Sequence, residues 1–382
     1  MRCSTAWIWA VCLAPVLFSS ASSRAGEFQT TDEFAAHVST LRADKGEVIP
    51  LHLRHKVAVS PAAQAPAGHR VVLFVHGATV PGVPDFDFDF RDYDWMAFLA
   101  RAGFDVWALD VSGYGASARP MMDDPCNVAK KSQDVLQKRP LAASCAPHHP
   151  FQFKTLRDDW AEIDSAVDYV RAATRADKVS IVGWSLGGPR VGGYVALHQD
   201  KIDRVMLYAP GGVKAGYDVP ETTEPGAPIG LQTRADLETK RWDPDARCAG
   251  QIEPGVRDAL WTEIMKWDGV GASWGPPEGV MRGPTFTGSG WPAEMAAKIT
   301  APVYVVVGEF DTPEVRRGVY EMLGSSDRIF AKVACASHFM VWEKQHLVLH
   351  KSSLEFLRDG KVSGATHGAF DVDKDGVFSP AK

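Results

Sequence analysis

Six short, largely apolar runs recur along the chain, at 71–75, 104–109, 179–182, 204–208, 303–307 and 328–333, and the run 71–75 is apolar throughout and rich in β-branched residues. A strand that is apolar at consecutive positions has no face left for water, so it must lie in a sheet covered on both sides. Between these runs the apolar period changes. Trp95, Phe98 and Leu99 mark a helix that stops near Gly103. Leu156, Trp160, Ile163, Val167 and Val170 predict an amphipathic helix over about 156–174. Further helices are expected at 186–198, after Pro313, and over about 341–357. Strands alternating with helices mean an α/β protein with a mostly parallel sheet and helices on both faces. The 382 residues, 45% of them hydrophobic, suffice for a large core. A net charge of −6 provides no basic field for nucleic acid.

Residues 1–25 read as a secretory signal peptide. Arg2 precedes an uncharged run from Ala6 to Phe18, too short to span a bilayer, and cleavage is expected after Ser23-Arg24-Ala25, before Gly26, with Ala21 the alternative. Cleavage after Ala25 takes the net charge to −8 and leaves no stable membrane anchor. The expected location is secreted or periplasmic. Cys126, Cys145, Cys248 and Cys335 remain, and an oxidising compartment favours two disulfides. Cys126 and Cys145 flank one polar, proline-punctuated insert, so they are expected to pair. Cys248 is then left for Cys335.

Regular alternation fails between 211 and 300. That stretch holds Trp242, Trp261, Trp267, Trp274 and Trp291, half of the ten tryptophans beyond residue 25, and is dense in Gly and Pro. We read 211–300 as an inserted lid, 26–210 with 301–360 as the core, and 361–382 as an acidic C-terminal tail.

Gly183-Trp184-Ser185-Leu186-Gly187 matches G-x-S-x-G. It follows a predicted strand and opens a predicted helix, the sharp turn that exposes a nucleophilic serine. A serine hydroxyl needs a base to take its proton. His338 follows the strand ending at Val333. Asp311, just past the strand ending at Val307, is the expected acid, with Glu309 its rival. Both positions are at carboxyl ends of strands, where open α/β sheets build their sites. His76-Gly77-Ala78 follows the first apolar strand. Backbone N–H groups of Leu186 and Ala78 are the expected oxyanion donors, with Thr79 second to Ala78. His76 is expected to be structural. Trp184 and Thr79 are expected to border a substrate pocket, and the lid tryptophans either to line an apolar pocket or to pack the lid.

These pieces together resemble the α/β-hydrolase superfamily, in its secreted bacterial esterase and lipase-like branch. The matching residues are His76-Gly77, Asp110 to Ser117, Gly183 to Gly187, Gly308 to Asp311, and Ser337-His338. The resemblance implies an α/β-hydrolase fold with an inserted lid. It also implies a Ser185–Asp311–His338 triad and no cofactor. Asp110 to Ser117 corresponds to the family's structural D-x-x-G-x-G-x-S turn. The implied activity is carboxylic ester hydrolysis on a small-molecule or polymeric ester. An amidase or peptidase, a thioesterase or an acyltransferase shares the same triad. A non-catalytic binding protein would lack one of its members.

Three other features attract attention. Asp371, Asp373, Asp375 and Gly376 match the first half of a calcium loop, but Lys382 stands at the twelfth position. An acidic turn at a frayed end is the alternative. Residues 85–90 alternate Asp and Phe, which suits a loop lining the site mouth or a solvent-facing strand. His148 and His149 have no carboxylate or cysteine pattern to complete a metal site, and His346 and His350 are expected on the surface of the last helix.

Overall fold

The computed structural model describes residues 27–61, 70–288 and 290–381. The signal-peptide reading of 1–25 lies outside the described residues.

One ten-stranded sheet organises the chain. In chain order its strands are β1 (Phe28–Val38), β2 (Val48–Ala58), β3 (Val71–Val75), β4 (Asp105–Leu109), β5 (Val179–Trp184), β6 (Ile202–Tyr208), β7 (Val303–Gly308), β8 (Arg328–Val333), β9 (Gly368–Val372) and β10 (Phe378–Pro380). Their spatial order is β1-β2-β4-β3-β5-β6-β7-β8-β9-β10. From β4 to β9 all neighbours are parallel, while β1 and β2 at one edge and β10 at the other are antiparallel. The apolar runs occupy the centre of the sheet. Alternate side chains of β3 serve opposite faces, as a two-residue period requires. Val72 and Phe74 join one core with Trp95, Leu99 and Phe356. Val71, Leu73 and Val75 join the other with Ile163, Val191 and Val319. The helices Trp95–Arg101 and His346–Asp359 therefore cover one face, and Leu156–Thr174, Gly187–Leu197 and Pro313–Met322 the other. The helix Leu156–Thr174 starts as its sequence predicts. The Asp158 carboxylate accepts from the Thr155 backbone N–H at 2.8 Å, closing a capping box.

Several expectations change. β1 and β2 carry polar residues at alternate positions of an edge pair, so no apolar run announces them. The region 361–381 is not a loose tail. β9 extends the parallel sheet beside β8, and β10 folds back on it. Its acidic motif forms the connecting turn: Asp373 accepts from the N–H groups of Asp375 and Val377, each at 2.9 Å, and Asp371 pairs with Lys332 at 2.9 Å. The three carboxylates do not converge on a common point.

The 85–90 stretch is neither a site mouth nor a solvent strand. Phe86 and Phe88 are buried in the core, and Asp87 turns away to Arg54 at 2.8 Å and to Lys56. Residues 211–300 are tied to one another by two small strand pairs. Residues Trp291–Pro292 pair with Val213–Lys214, and Ile229–Gln232 with Met281–Pro284. Trp242, Trp261, Trp274 and Trp291 are buried within these packed layers. The insert bridges to the lid at Val128 and Ile229 and shares with it a third core of Leu136, Trp274 and Val280. Cys126 is disulfide-bonded to Cys145, and Cys248 to Cys335, with Cα separations of 5.3 and 5.6 Å.

Candidate active site

The turn after β5 places Ser185. Its backbone sits at φ +57°, a left-handed conformation that costs a non-glycine residue about 1–2 kcal/mol. The turn is tight because its neighbours have no Cβ. A Cβ on Gly183 would stand 2.3 Å from the Gly187 carbonyl oxygen, and one on Gly187 would stand 2.4 Å from that of Val75. The turn is also tied to the next strand, since the Ser185 N–H donates to Tyr208 at 3.0 Å.

His338 and Asp311 reach the same point from the ends of β8 and β7. The His338 Nε2 lies 2.9 Å from Ser185 Oγ, and its Nδ1 lies 2.9 Å from Asp311 Oδ2. An ionised carboxylate at Nδ1 fixes the proton there and leaves Nε2 free to accept from the serine hydroxyl. Asp311 is mostly buried, which opposes its charge, yet His338 and then Arg316 outweigh burial and hold its pKa below the usual carboxylate value. Arg316 Nη2 donates to Asp311 Oδ1 at 3.2 Å. Glu309, the rival acid, points elsewhere and accepts from the Cys335 N–H at 3.0 Å.

The backbone of the histidine is held from below. The His338 carbonyl accepts from the Tyr208 hydroxyl at 2.7 Å and from the Trp184 indole N–H at 3.2 Å. Trp184 is buried and stacks on Tyr208 at 5.6 Å. Its place is thus beneath the histidine loop, a correction to the expectation of a pocket wall. One residue earlier, Ser337 donates through its N–H and its hydroxyl to Glu343, at 2.8 and 2.5 Å. Glu343 also accepts from the Trp242 indole at 2.8 Å and from Gln251 at 3.0 Å, both in the lid. Burial raises the Glu343 pKa, with the four donors opposing it.

The loop after β3 is held from the other side of the sheet. Arg190 is fully buried, and one guanidinium nitrogen donates to the carbonyls of His76 and Gly77 at 2.8 and 2.9 Å. Its Nε donates to Asp159 at 2.8 Å, and Lys154 contacts Asp159 and Glu162 at 2.7 and 3.0 Å. Burial works against the Asp159 carboxylate, and Arg190 and Lys154 outweigh it, so its pKa stays low. Among the described residues, neither the Ala78 nor the Leu186 N–H has an acceptor in the chain, while the Thr79 N–H donates to the Tyr114 hydroxyl at 3.2 Å. Ala78 is exposed and Thr79 half-buried at this loop. The arrangement thus favours Ala78 over Thr79 as an oxyanion donor. His76 is sealed in the core, and its Nε2 accepts from the Val111 N–H at 3.2 Å. Burial, with Arg190 nearby, pushes its pKa down to about 3, so it stays neutral.

Sequence reasoning missed Arg190, Asp159, Lys154 and Glu343. One signal for Arg190 was present: it is the only charge in the helix Gly187–Leu197, whose other residues are small or apolar. Lone charges in apolar helices need buried partners. No comparable signal marks Glu343.

Residues 70–237 match the family model described as alpha/beta hydrolase fold. The chain is an α/β-hydrolase-fold protein. Solved structures of similar architecture include a serine hydrolase involved in carbazole degradation, the CarC enzyme. It is 16% identical with a TM-score of 0.49, over 86% of this chain and 99% of that one. A thermophilic esterase from Thermogutta terrifontis is 14% identical, with a TM-score of 0.49, over 85% and 98%. A bromoperoxidase from Bacillus anthracis is 14% identical, with a TM-score of 0.47, over 86% and 100%. No curated protein matches the sequence.

Two features outside the candidate site correct the histidine expectations. His346 and His350 are buried, stacked on Tyr93 at 3.9 Å and on Trp95 at 5.5 Å. The last helix turns them onto the aromatic core instead of into water. His148 does meet a carboxylate, Asp124 at 2.5 Å, beside Cys126. The Cys126 sulfur is spent in its disulfide, so no thiolate completes a metal site. No helix among the described residues is long and apolar enough to cross a membrane.

Proposed function

We propose that this chain is a serine hydrolase that cleaves carboxylic esters through an acyl-enzyme on Ser185. The observation that carries the reading is the continuous hydrogen-bond chain from Ser185 through His338 to Asp311, at 2.9 and 2.9 Å. Ser185 Oγ attacks the acyl carbon as its proton passes to His338 Nε2. Asp311 stabilises the imidazolium, and the N–H groups of Leu186 and Ala78 receive the oxyanion. The intermediate collapses, and the leaving alcohol takes the proton from Nε2. Water then repeats the sequence on the acyl-enzyme and frees the acid and the serine.

The same reading makes residues 1–25 a cleaved signal and the protein a secreted or periplasmic one. The two disulfides support an oxidising compartment. A p-nitrophenyl ester panel tests the activity, with a fluorophosphonate probe to mark the serine. We expect labelling at Ser185, and Ser185→Ala to lose turnover by a factor of at least about 10³ while keeping its melting transition. A Ser185→Ala variant with full turnover, or no labelling at Ser185, overturns the proposal.

A further inference from the structure

The lid segment from 232 to 258 carries five cations, and four of them are matched. Arg234 pairs with Glu238 at 2.7 Å and with Asp258, Lys240 with Asp236 at 2.5 Å, Arg247 with Asp245 at 3.1 Å, and Arg257 with Asp243. Arg241 is the exception. It has no carboxylate within ion-pair distance among the described residues, and its one side-chain hydrogen bond there is to the neutral Gln232 amide oxygen at 3.2 Å. Glu343, the nearby buried acid, is committed to Trp242, Gln251 and Ser337.

Arg241 is also one ring removed from the His338 imidazole. Its guanidinium carbon stands 5.3 Å from the ring centre of Phe339, and that ring is 5.4 Å from the His338 imidazole. It is half-buried, and none of its nitrogens is sealed without a partner inside the protein. Its free N–H groups therefore remain available over the Phe339 ring, which neighbours the histidine. Burial alone lowers its pKa, with no acid opposing the shift. A guanidinium that has lost water and gained no anion is an unfavourable arrangement that a ligand anion corrects.

We propose that Arg241 binds a carboxylate on the substrate, so that the preferred ester carries a second, free acid group. This deepens the esterase reading and rests on it. A carboxylate fits because the site has one unmatched positive charge and the guanidinium plane accepts two oxygens side by side. A phosphate dianion would leave a negative charge unmatched.

The test compares the mono-p-nitrophenyl ester of glutaric acid with its methyl-capped, uncharged counterpart. The readout is the ratio of their kcat/KM values, which cancels any general loss of activity. Wild type is expected to favour the acid by about 30-fold or more, since removing one partner of a desolvated ion pair costs at least about 2 kcal/mol. Arg241→Met should bring the ratio near one, and Arg241→Lys should keep part of the preference. Free glutarate should also bind the wild type by calorimetry and bind Arg241→Met at least about tenfold more weakly, a readout that needs no turnover. A wild-type ratio near one, a ratio unchanged in Arg241→Met, or equal glutarate binding by both proteins overturns this proposal. Failure of Ser185 to label with fluorophosphonate overturns the esterase reading instead.

Discussion

The two sides of the candidate site are anchored in different ways. On the side proposed to receive the oxyanion, the His76–Ala78 loop hangs from Arg190, which is backed by Asp159, Lys154 and Glu162 inside the sheet–helix core. These groups are almost completely buried. On the base side, the His338 loop is tied to the lid, through Glu343 to Trp242 and Gln251 and through Cys335 to Cys248. The difference implies that a disturbance of residues 211–300 moves the proposed base before it moves the proposed oxyanion loop. A damaged core does the reverse, and takes stability with it.

The disulfides break this comparison most forcefully. In the chain-entropy description, a crosslink closing 87 residues stabilises by about 4–5 kcal/mol and one closing 19 residues by about 3 kcal/mol. Cys248→Ser/Cys335→Ser should therefore lose more stability in denaturant titrations than Cys126→Ser/Cys145→Ser. It should also lower kcat severalfold under native conditions, whereas the second variant should stay within about twofold of wild type. Equal kcat in both variants would remove the lid from the account of the base.

Arg190→Met comes next. It leaves Asp159 with Lys154 alone and strips the carbonyls of His76 and Gly77 of a donor, at an expected cost of about 3–5 kcal/mol in unfolding free energy. Near-wild-type melting would show that the core-side ion network is not what holds the loop.

Glu343→Gln keeps the shape but removes the charge and one acceptor for its four donors. We expect a cost of about 1–3 kcal/mol and a kcat about tenfold lower with little change in KM, because the base is displaced while binding remains. A change confined to KM would make Glu343 a pocket residue rather than a positioning one.

The smallest effect belongs to an ion cluster on β1, β2 and the turn after β4. His52 bridges Asp110 and Asp32 at 2.7 and 2.8 Å, linking β2 and β1 to the turn after β4. Burial opposes its charge, but the two carboxylates outweigh it and raise its pKa to about 9. A raised folded pKa means that this stability is complete below about 6.5 and is lost as pH rises through about 9. Because Asp32 is partly exposed, we expect about 1–2 kcal/mol. Melting curves between pH 7 and pH 10 should show this decline in wild type, and His52→Gln should flatten it.

Much of the architecture was legible in the sequence because its signals are local. Consecutive apolar β-branched residues identify central strands, and Gly183 and Gly187 identify the nucleophile turn, since each reports a steric or solvation requirement met within a few residues. Ser185, Asp311 and His338 could be named because chain order and strand ends restrict the candidates. β1, β2, β9 and β10 were missed or read as tail. An edge strand needs only alternate burial, and β9 gains its partner from β8, more than 30 residues away in sequence.

What only the tertiary structure decided is pairing across distance. It turned His346 and His350 inward, set Trp184 beneath His338, gave the Thr79 N–H to Tyr114 and left Ala78 free. It matched four of the five cations between residues 232 and 258 and left Arg241 unmatched. Spacing along a helix announces pairs such as Arg234–Glu238, but whether Arg241 is neutralised depends on which side chains folding brings within a few ångströms, and no local pattern encodes that.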